Sequence, residues 1–243
     1  MNPFSVIWLD ETSSTNDEAL SLASAGAASG TVIAARTQTG GRGRRGRTWA
    51  SPPGNLYCSL LLRPDIAPEN RGELAFVAAL AMRDAAAAFA DPEHLAIKWP
   101  NDILLRGRKL GGILIEADHN AVIVGMGINI RHFPENSEFP ATSLAEGMGE
   151  GEELPSPEAL LEVLCKTFAR WLLVWETQGF APVREAWLLH AAGRGREVTV
   201  RLENEAISGI FLDVTAEGAL MLGMDDNVVR RIAAGSVFFK EEP

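Results

Sequence analysis

Beyond residue 191 the chain contains only strand-length runs, at 197–202, 205–215, 220–224, 228–232 and 237–239. Their connections are short, among them Glu203-Asn204, Ala216-Glu217-Gly218 and Asp225-Asp226-Asn227. Short turns join strands antiparallel, and five short strands in about fifty residues suggest a small antiparallel barrel. This change of pattern places a boundary near 191, between a unit at 1–190 and a second at 191–243.

The first unit mixes two periodicities. Runs bounded by Gly, Pro and polar residues predict strands at 4–9, 31–36, 56–63, 95–99, 112–116 and 121–127. Apolar residues at helical spacing predict helices at 18–25, 69–90, 157–178 and 182–190. Ser14 or Thr15 is a natural N-cap for the first. Trp171 and Trp175 stand i, i+4 on the buried side of the third. Residues 131–156, rich in Gly, Pro and acids, read as a surface loop.

The longest apolar run, 74–82, has nine residues and stops at Arg83, and a membrane span needs about twenty. No signal peptide is readable, so a cytoplasmic protein is expected. Cys58 and Cys165 lack metal-ligand spacing and read as core thiols. His94, His119, His132 and His190 are scattered and read as surface or packing residues. A net charge of −10, from 32 acids and 22 bases, argues against a dedicated nucleic-acid binder. Yet Arg36, Arg42, Arg44, Arg45 and Arg47 fall within twelve residues, which suits a small anionic ligand. The bases comprise 18 Arg and four Lys, at 98, 109, 166 and 240. Either chance or a need for a compact ammonium explains Lys98 and Lys109.

Three motifs carry chemistry. Gln38-Thr39-Gly40-Gly41-Arg42-Gly43-Arg44-Arg45-Gly46-Arg47 precedes Trp49 and Gly54-Asn55. Glycines let backbone amides approach an anion, and guanidinium forks grip phosphate or carboxylate. A solvated basic turn or an RNA contact would use the same residues. Like charges and glycines resist ordering, so 40–47 is expected to be poorly ordered without ligand. Lys98-Trp99-Pro100-Asn101-Asp102 ends a strand, and Lys109-Leu110-Gly111-Gly112 opens another. Lys and Asp beside a proline-fixed turn suit phosphate and metal work, or a plain ion pair. Gly125-Met126-Gly127-Ile128-Asn129-Ile130 has no helix after it, so the dinucleotide fingerprint does not apply.

In this order the motifs resemble one family, the biotin–protein ligases, over nearly the whole chain. The resemblance implies an α+β (α/β), class II synthetase-like fold: a central mixed β-sheet flanked by helices, plus a C-terminal SH3-like β-barrel. It implies that biotin and ATP form biotinyl-5′-AMP and pyrophosphate. Biotin then passes to one lysine of a biotin carboxyl carrier protein, such as that of acetyl-CoA carboxylase. Ser14, Thr15, Asn16 and Gln38 would meet the ureido ring, and Arg42, Gly43, Arg44 and Lys109 would complete the biotin site. Ile113, Leu114 and Trp99 would be apolar walls, or simply core. Gly41, Arg44, Arg45, Lys98, Asn101, Asp102 and Asn129 would face ATP, with Asp102 toward Mg²⁺. Lys109, Arg44 and Arg42 would be catalytic, offsetting the repulsion between biotin's carboxylate and the α-phosphate.

Some members carry an N-terminal winged helix and repress transcription. Here the biotin-side motif starts at residue 14, so no DNA binding is expected, and no membrane partner. The oligomeric state stays open, with a homodimer among the options. Three other readings stand beside this one: a lipoate ligase or octanoyltransferase relative, a catalytically inactive biotin sensor, and an RNA-binding protein.

Overall fold

Strands that are apolar on both sides need cover on both faces. In the computed structural model, β1 (Ser5–Thr12), β2 (Thr31–Gln38), β3 (Leu56–Leu62), β4 (Leu95–Lys98), β5 (Asp102–Leu105), β6 (Arg108–Asp118) and β7 (Ala121–Ile128) build one sheet. It is seven-stranded, in the order β1-β2-β3-β7-β6-β5-β4. β1 and β2 run parallel and the other neighbours antiparallel, so the sheet is mixed. The structure describes residues 4–118, 120–135, 137–148, 153–225 and 228–239; His119, Asp226, Asn227 and Lys240 lie outside them.

The helices are α1 (Thr15–Ser24), α2 (Leu74–Ala86), α3 (Leu144–Gly147), α4 (Pro157–Gln178) and α5 (Phe180–Leu189). Alternation along β2 assigns the faces. Ile33 joins a small core with Ala19 and Ala23 of α1, whereas Val32 and Ala34 join the main core with α2, α4 and α5. The alanines of α2 let that helix lie close to the sheet, and ten of its residues are buried. Ser156 caps α4 through the Ala159 N–H at 3.1 Å.

Three expectations shift. The helix predicted over 69–90 is α2 alone, preceded by a 3₁₀ turn at Pro68–Glu73, because 68–73 offer no buried residue to anchor a longer helix. β5 went unpredicted: its four residues, Asp102–Leu105, lie between a proline turn and Arg106-Gly107, too short to show a period. The segment 131–156 is not merely a surface loop. Ala141, Thr142, Ser143 and Leu144 are buried, and Ala141 bridges to Lys109.

After residue 191, β8 (Glu197–Arg201), β9 (Ala206–Val214), β10 (Leu220–Gly223), β11 (Val229–Ile232) and β12 (Ser236–Phe239) form a five-stranded antiparallel sheet, β11-β10-β9-β8-β12. Its interior, including Val198, Phe211 and Leu220, is continuous with the main core. Trp99 Nε1 donates to the Gly218 carbonyl at 3.0 Å, and Arg184 pairs with Asp213 at 2.7 Å. Among the described residues no helix is long and apolar enough to cross a membrane.

Candidate functional site

Chain segments leaving the sheet surround a cavity of ≈ 500 Å³, large enough for a small ligand. Its floor is polar. Ser14 is extended at the start of α1, so residues 14–16 tuck down toward β2, β3 and β7 and are buried. Thr15 donates to Gln38 Oε1 from its N–H at 2.9 Å and its hydroxyl at 3.2 Å. Ser59 Oγ lies 2.7 Å from Thr15 Oγ1 and 2.5 Å from Asn16 Oδ1, and Asn16 Nδ2 donates to Glu116 Oε2 at 2.6 Å. Buried amides and hydroxyls held this way are ready to exchange partners with a polar ligand. Any side chain at Gly125 would overlap Asn16.

The Gly–Arg segment arches over the cavity as a hydrogen-bonded turn. Gly43 N–H donates to the Arg47 carbonyl at 2.7 Å, and Trp49 N–H to the Gly41 carbonyl at 2.9 Å. Arg45 has φ +57° and Gly46 φ +72°, which turn the chain back. Acidic side chains pair with two of its arginines, Arg42 and Arg47. Arg42 is held by Asp17 at 2.6 and 2.7 Å and by Glu116 at 3.2 Å. That hydrogen bond to Asp17 raises the Arg42 guanidinium and lowers the Asp17 carboxyl. Arg44 Nη1 donates to Asn101 Oδ1 at 3.3 Å, and burial lowers its guanidinium from the usual value. Gly41 does not line the cavity; a Cβ there would run into the Trp49 carbonyl. Trp49 itself lies across Gly127, where a Cβ would come within 2.9 Å of the indole.

Opposite the turn stands a charged triad. The β4–β5 hairpin sets Lys98 opposite Asp102 in register, and β6 brings Lys109 alongside. Lys98 Nζ is 3.0 Å from Asp102 Oδ2, and Lys109 Nζ is 2.6 Å from Oδ1. Burial alone would raise the Asp102 carboxyl, but Lys109 and Lys98 outweigh it and hold it below the usual range. Burial pushes the Lys98 ammonium down, against the pull of Asp102. Both Asp102 oxygens therefore face ammonium groups. Among the described residues no three His, Cys, Asp or Glu side chains cluster to hold a metal. With both its oxygens committed to ammonium groups, Asp102 does not fit as a direct Mg²⁺ ligand.

The other expected residues take these places. Gly43 and Arg45 line the cavity, as do Ile113, Leu114 and the buried Trp99. Asn101 Nδ2 donates to the Ile113 carbonyl at 2.8 Å, and Asn129 Nδ2 to the Thr142 carbonyl at 3.0 Å. Asp17, Ser59, Glu116, Phe139 and Phe238 were not anticipated, because they come from separate elements and share no spacing. Asn55, beside Gly54, pins the chain after β7: its Oδ1 accepts from the N–H groups of Ile130, Arg131 and His132 at 2.9, 2.9 and 3.1 Å. Cys58 and Cys165 are buried, and burial pushes the Cys58 thiol up.

A polar floor, an arginine-bearing turn and paired ammonium groups around one cavity define a site that can hold a polar, anion-bearing small molecule beside a second anion. Comparison with known proteins places the chain in a class. The Biotin/lipoate A/B protein ligase family model matches residues 8–131, and the Biotin protein ligase C terminal domain model matches 194–240. The chain belongs to the biotin/lipoate A/B protein ligase family. It is 43% identical to the biotin–[acetyl-CoA-carboxylase] ligase of Paracoccus denitrificans, over 95% of this chain and 99% of that one. It is 34% identical to the bifunctional ligase/repressor BirA of Bacillus subtilis, over 94% of this chain and 72% of that one. The biotin protein ligase from Aquifex aeolicus in complex with biotin and ATP superposes with a TM-score of 0.84 at 29% identity, covering 98% of this chain and 99% of that chain.

Proposed function

We propose that this chain is an ATP-dependent biotin–protein ligase. The observation that carries the reading is the pairing of the Thr15–Asn16–Gln38 floor, backed from below by Ser59, with the Lys98–Asp102–Lys109 triad across one cavity. The floor supplies donors and acceptors for biotin's ureido head, with Ser14 beside it. Gly125 leaves room for Asn16, and Ile113, Leu114 and Trp99 form walls for the bicycle.

In the first half-reaction a biotin carboxylate oxygen attacks the α-phosphorus of ATP. The bond from that phosphorus to the bridging oxygen breaks, and pyrophosphate leaves with its electrons. Two anions must meet, so Lys109 and Arg44 stabilise the charge that builds between them. Lys98, Asn101, Arg45 and Asn129 serve the nucleotide side, and Gly43 lets the turn approach the ligand. Mg²⁺ would enter with ATP and neutralise phosphate charge. Asp102 holds the two lysines in place. In the second half-reaction a lysine amine of the carrier attacks the acyl carbon, the carbon–oxygen bond to AMP breaks, and the amine loses a proton.

The acceptor is the carrier domain of a carboxylase, in the cytoplasm. Residues 1–190 form the ligase unit and 191–243 a second unit beside its cavity. The net charge of −10 supports the absence of duplex DNA binding, which a mobility shift at low salt checks. Sedimentation with and without biotin tests for a homodimer.

Isothermal titration with biotin, followed by ATP and Mg²⁺, tests the central reading. Biotin binding and then a retained adenylate are expected. A response to lipoate in place of biotin would move the chain to the sister activity, and silence with both would reopen the sensor reading.

A further inference from the structure

Glu138 sits where three parts of the molecule meet. One carboxylate oxygen pairs with Arg47 of the Gly–Arg turn at 2.7 Å, and the other pairs with Arg201 on β8. Two arginines repel each other, so an anion between them is what makes their approach to one point favourable. The segment carrying Glu138 is anchored. Lys109 N–H donates to the Pro140 carbonyl at 2.7 Å, and Thr142 N–H donates to the Lys109 carbonyl at 2.9 Å. Phe139, the next residue, has the Lys98 ammonium 3.8 Å from its ring centroid and packs 6.0 Å from Phe239 of β12. Arg201 also lies 4.4 Å over the ring of Phe238.

We infer that Glu138 is a positioning residue: it holds the Gly–Arg turn down through Arg47 and ties it to the C-terminal sheet through Arg201. The turn lifts only when the Arg47 pair opens, and Arg201 keeps the Glu138 carboxylate aimed at that pair. The inference rests on the ligase reading and adds to it how the acyl-adenylate is kept from water. The groups are half-exposed, so one pair alone is weak. Anchoring of 138–142 on β6 is what turns two weak pairs into a defined closure.

The test has two readouts, one of which needs no ligand. Hydrogen exchange of 41–47 in the free protein reports the turn directly, and the rate of biotinyl-adenylate release from a preformed complex reports its consequence. Glu138→Gln is expected to raise both by about threefold to tenfold, the range two exposed pairs supply. Arg47→Ala should act alike, Arg201→Ala less, and Arg201→Ala should add nothing in the Arg47→Ala background. Raising ionic strength should speed release from the wild type but not from Glu138→Gln. Wild-type rates in Glu138→Gln, or effects of Arg47→Ala and Arg201→Ala that simply multiply, would overturn the inference. Loss of the ligase reading looks different: no biotin-dependent ATP–pyrophosphate exchange in the wild type, while exchange of 41–47 still responds to Glu138→Gln.

Discussion

Two charged clusters border the same cavity and differ in their surroundings. The side chains of Lys98, Asp102 and Lys109 are 5%, 10% and 25% exposed, whereas those of Arg42, Asp17 and Glu116 are 37%, 44% and 31% exposed. In the first, strand register fixes the groups and protein excludes water, so each charge is strong and its geometry constant. In the second, water and salt share the work, and the pairs can open and reform at little cost. An acyl-activating site needs both: a fixed centre where charge develops, and an arginine-bearing turn that admits substrates and then closes.

Removing members of each cluster should therefore break different things. Lys109→Ala should cost about 10²- to 10³-fold in biotin-dependent ATP–pyrophosphate exchange, as loss of a group stabilising developing charge does. An exchange rate within twofold of wild type would strip Lys109 of its role. Asp102→Ala leaves Lys98 buried without its counter-ion, and should lower stability by about 3–5 kcal/mol in denaturant titration. Asp102 also sets an acid dependence. Its folded carboxyl is lowered, so its stabilisation is complete above the ordinary carboxylate range and lost as pH falls through the folded value. The acid limb of the stability curve should flatten in Asp102→Ala.

Smaller effects test the packing between the clusters. Gly127→Val would push a side chain into Trp49 and should cost about 1–3 kcal/mol by overpacking. It should also displace the Gly–Arg turn, read as faster amide exchange at 41–47. Arg42→Ala should change stability by at most about 1 kcal/mol, shrinking further with salt, because it and its partners are partly open to water. A loss of several kcal/mol there would mean that the two clusters are not distinct in kind.

Much of the architecture was legible because local chemistry agreed with the fold. The α4 helix follows from Ser156, Pro157 and a long apolar stripe, and its span is as the periodicity predicts. The change of pattern near 191 foretold a small antiparallel barrel, and five antiparallel strands in one sheet stand there, since short runs joined by tight turns have few other ways to bury a face. β5 and the packed part of 131–156 stayed hidden for the opposite reason. Ala141 and Thr142 are ordinary residues whose burial depends on Lys109, more than thirty positions away in sequence. The glycines at 125 and 127 read as tight packing; which side chains fill the space above them came from elsewhere in the chain.

The sequence by itself determined the residue types that biotin activation requires, because Gly, Arg, Lys and Asp in these short motifs can be read without a fold. Only the tertiary structure decided how they are used. Strand register made Asp102 the shared counter-ion of Lys98 and Lys109. The start of α1 and the end of β6 supplied Asp17 and Glu116 as partners of Arg42, and the turn before Ala141 carried Glu138 between Arg47 and Arg201. Charge acts through distance and burial, and both are properties of residues that sequence order keeps far apart.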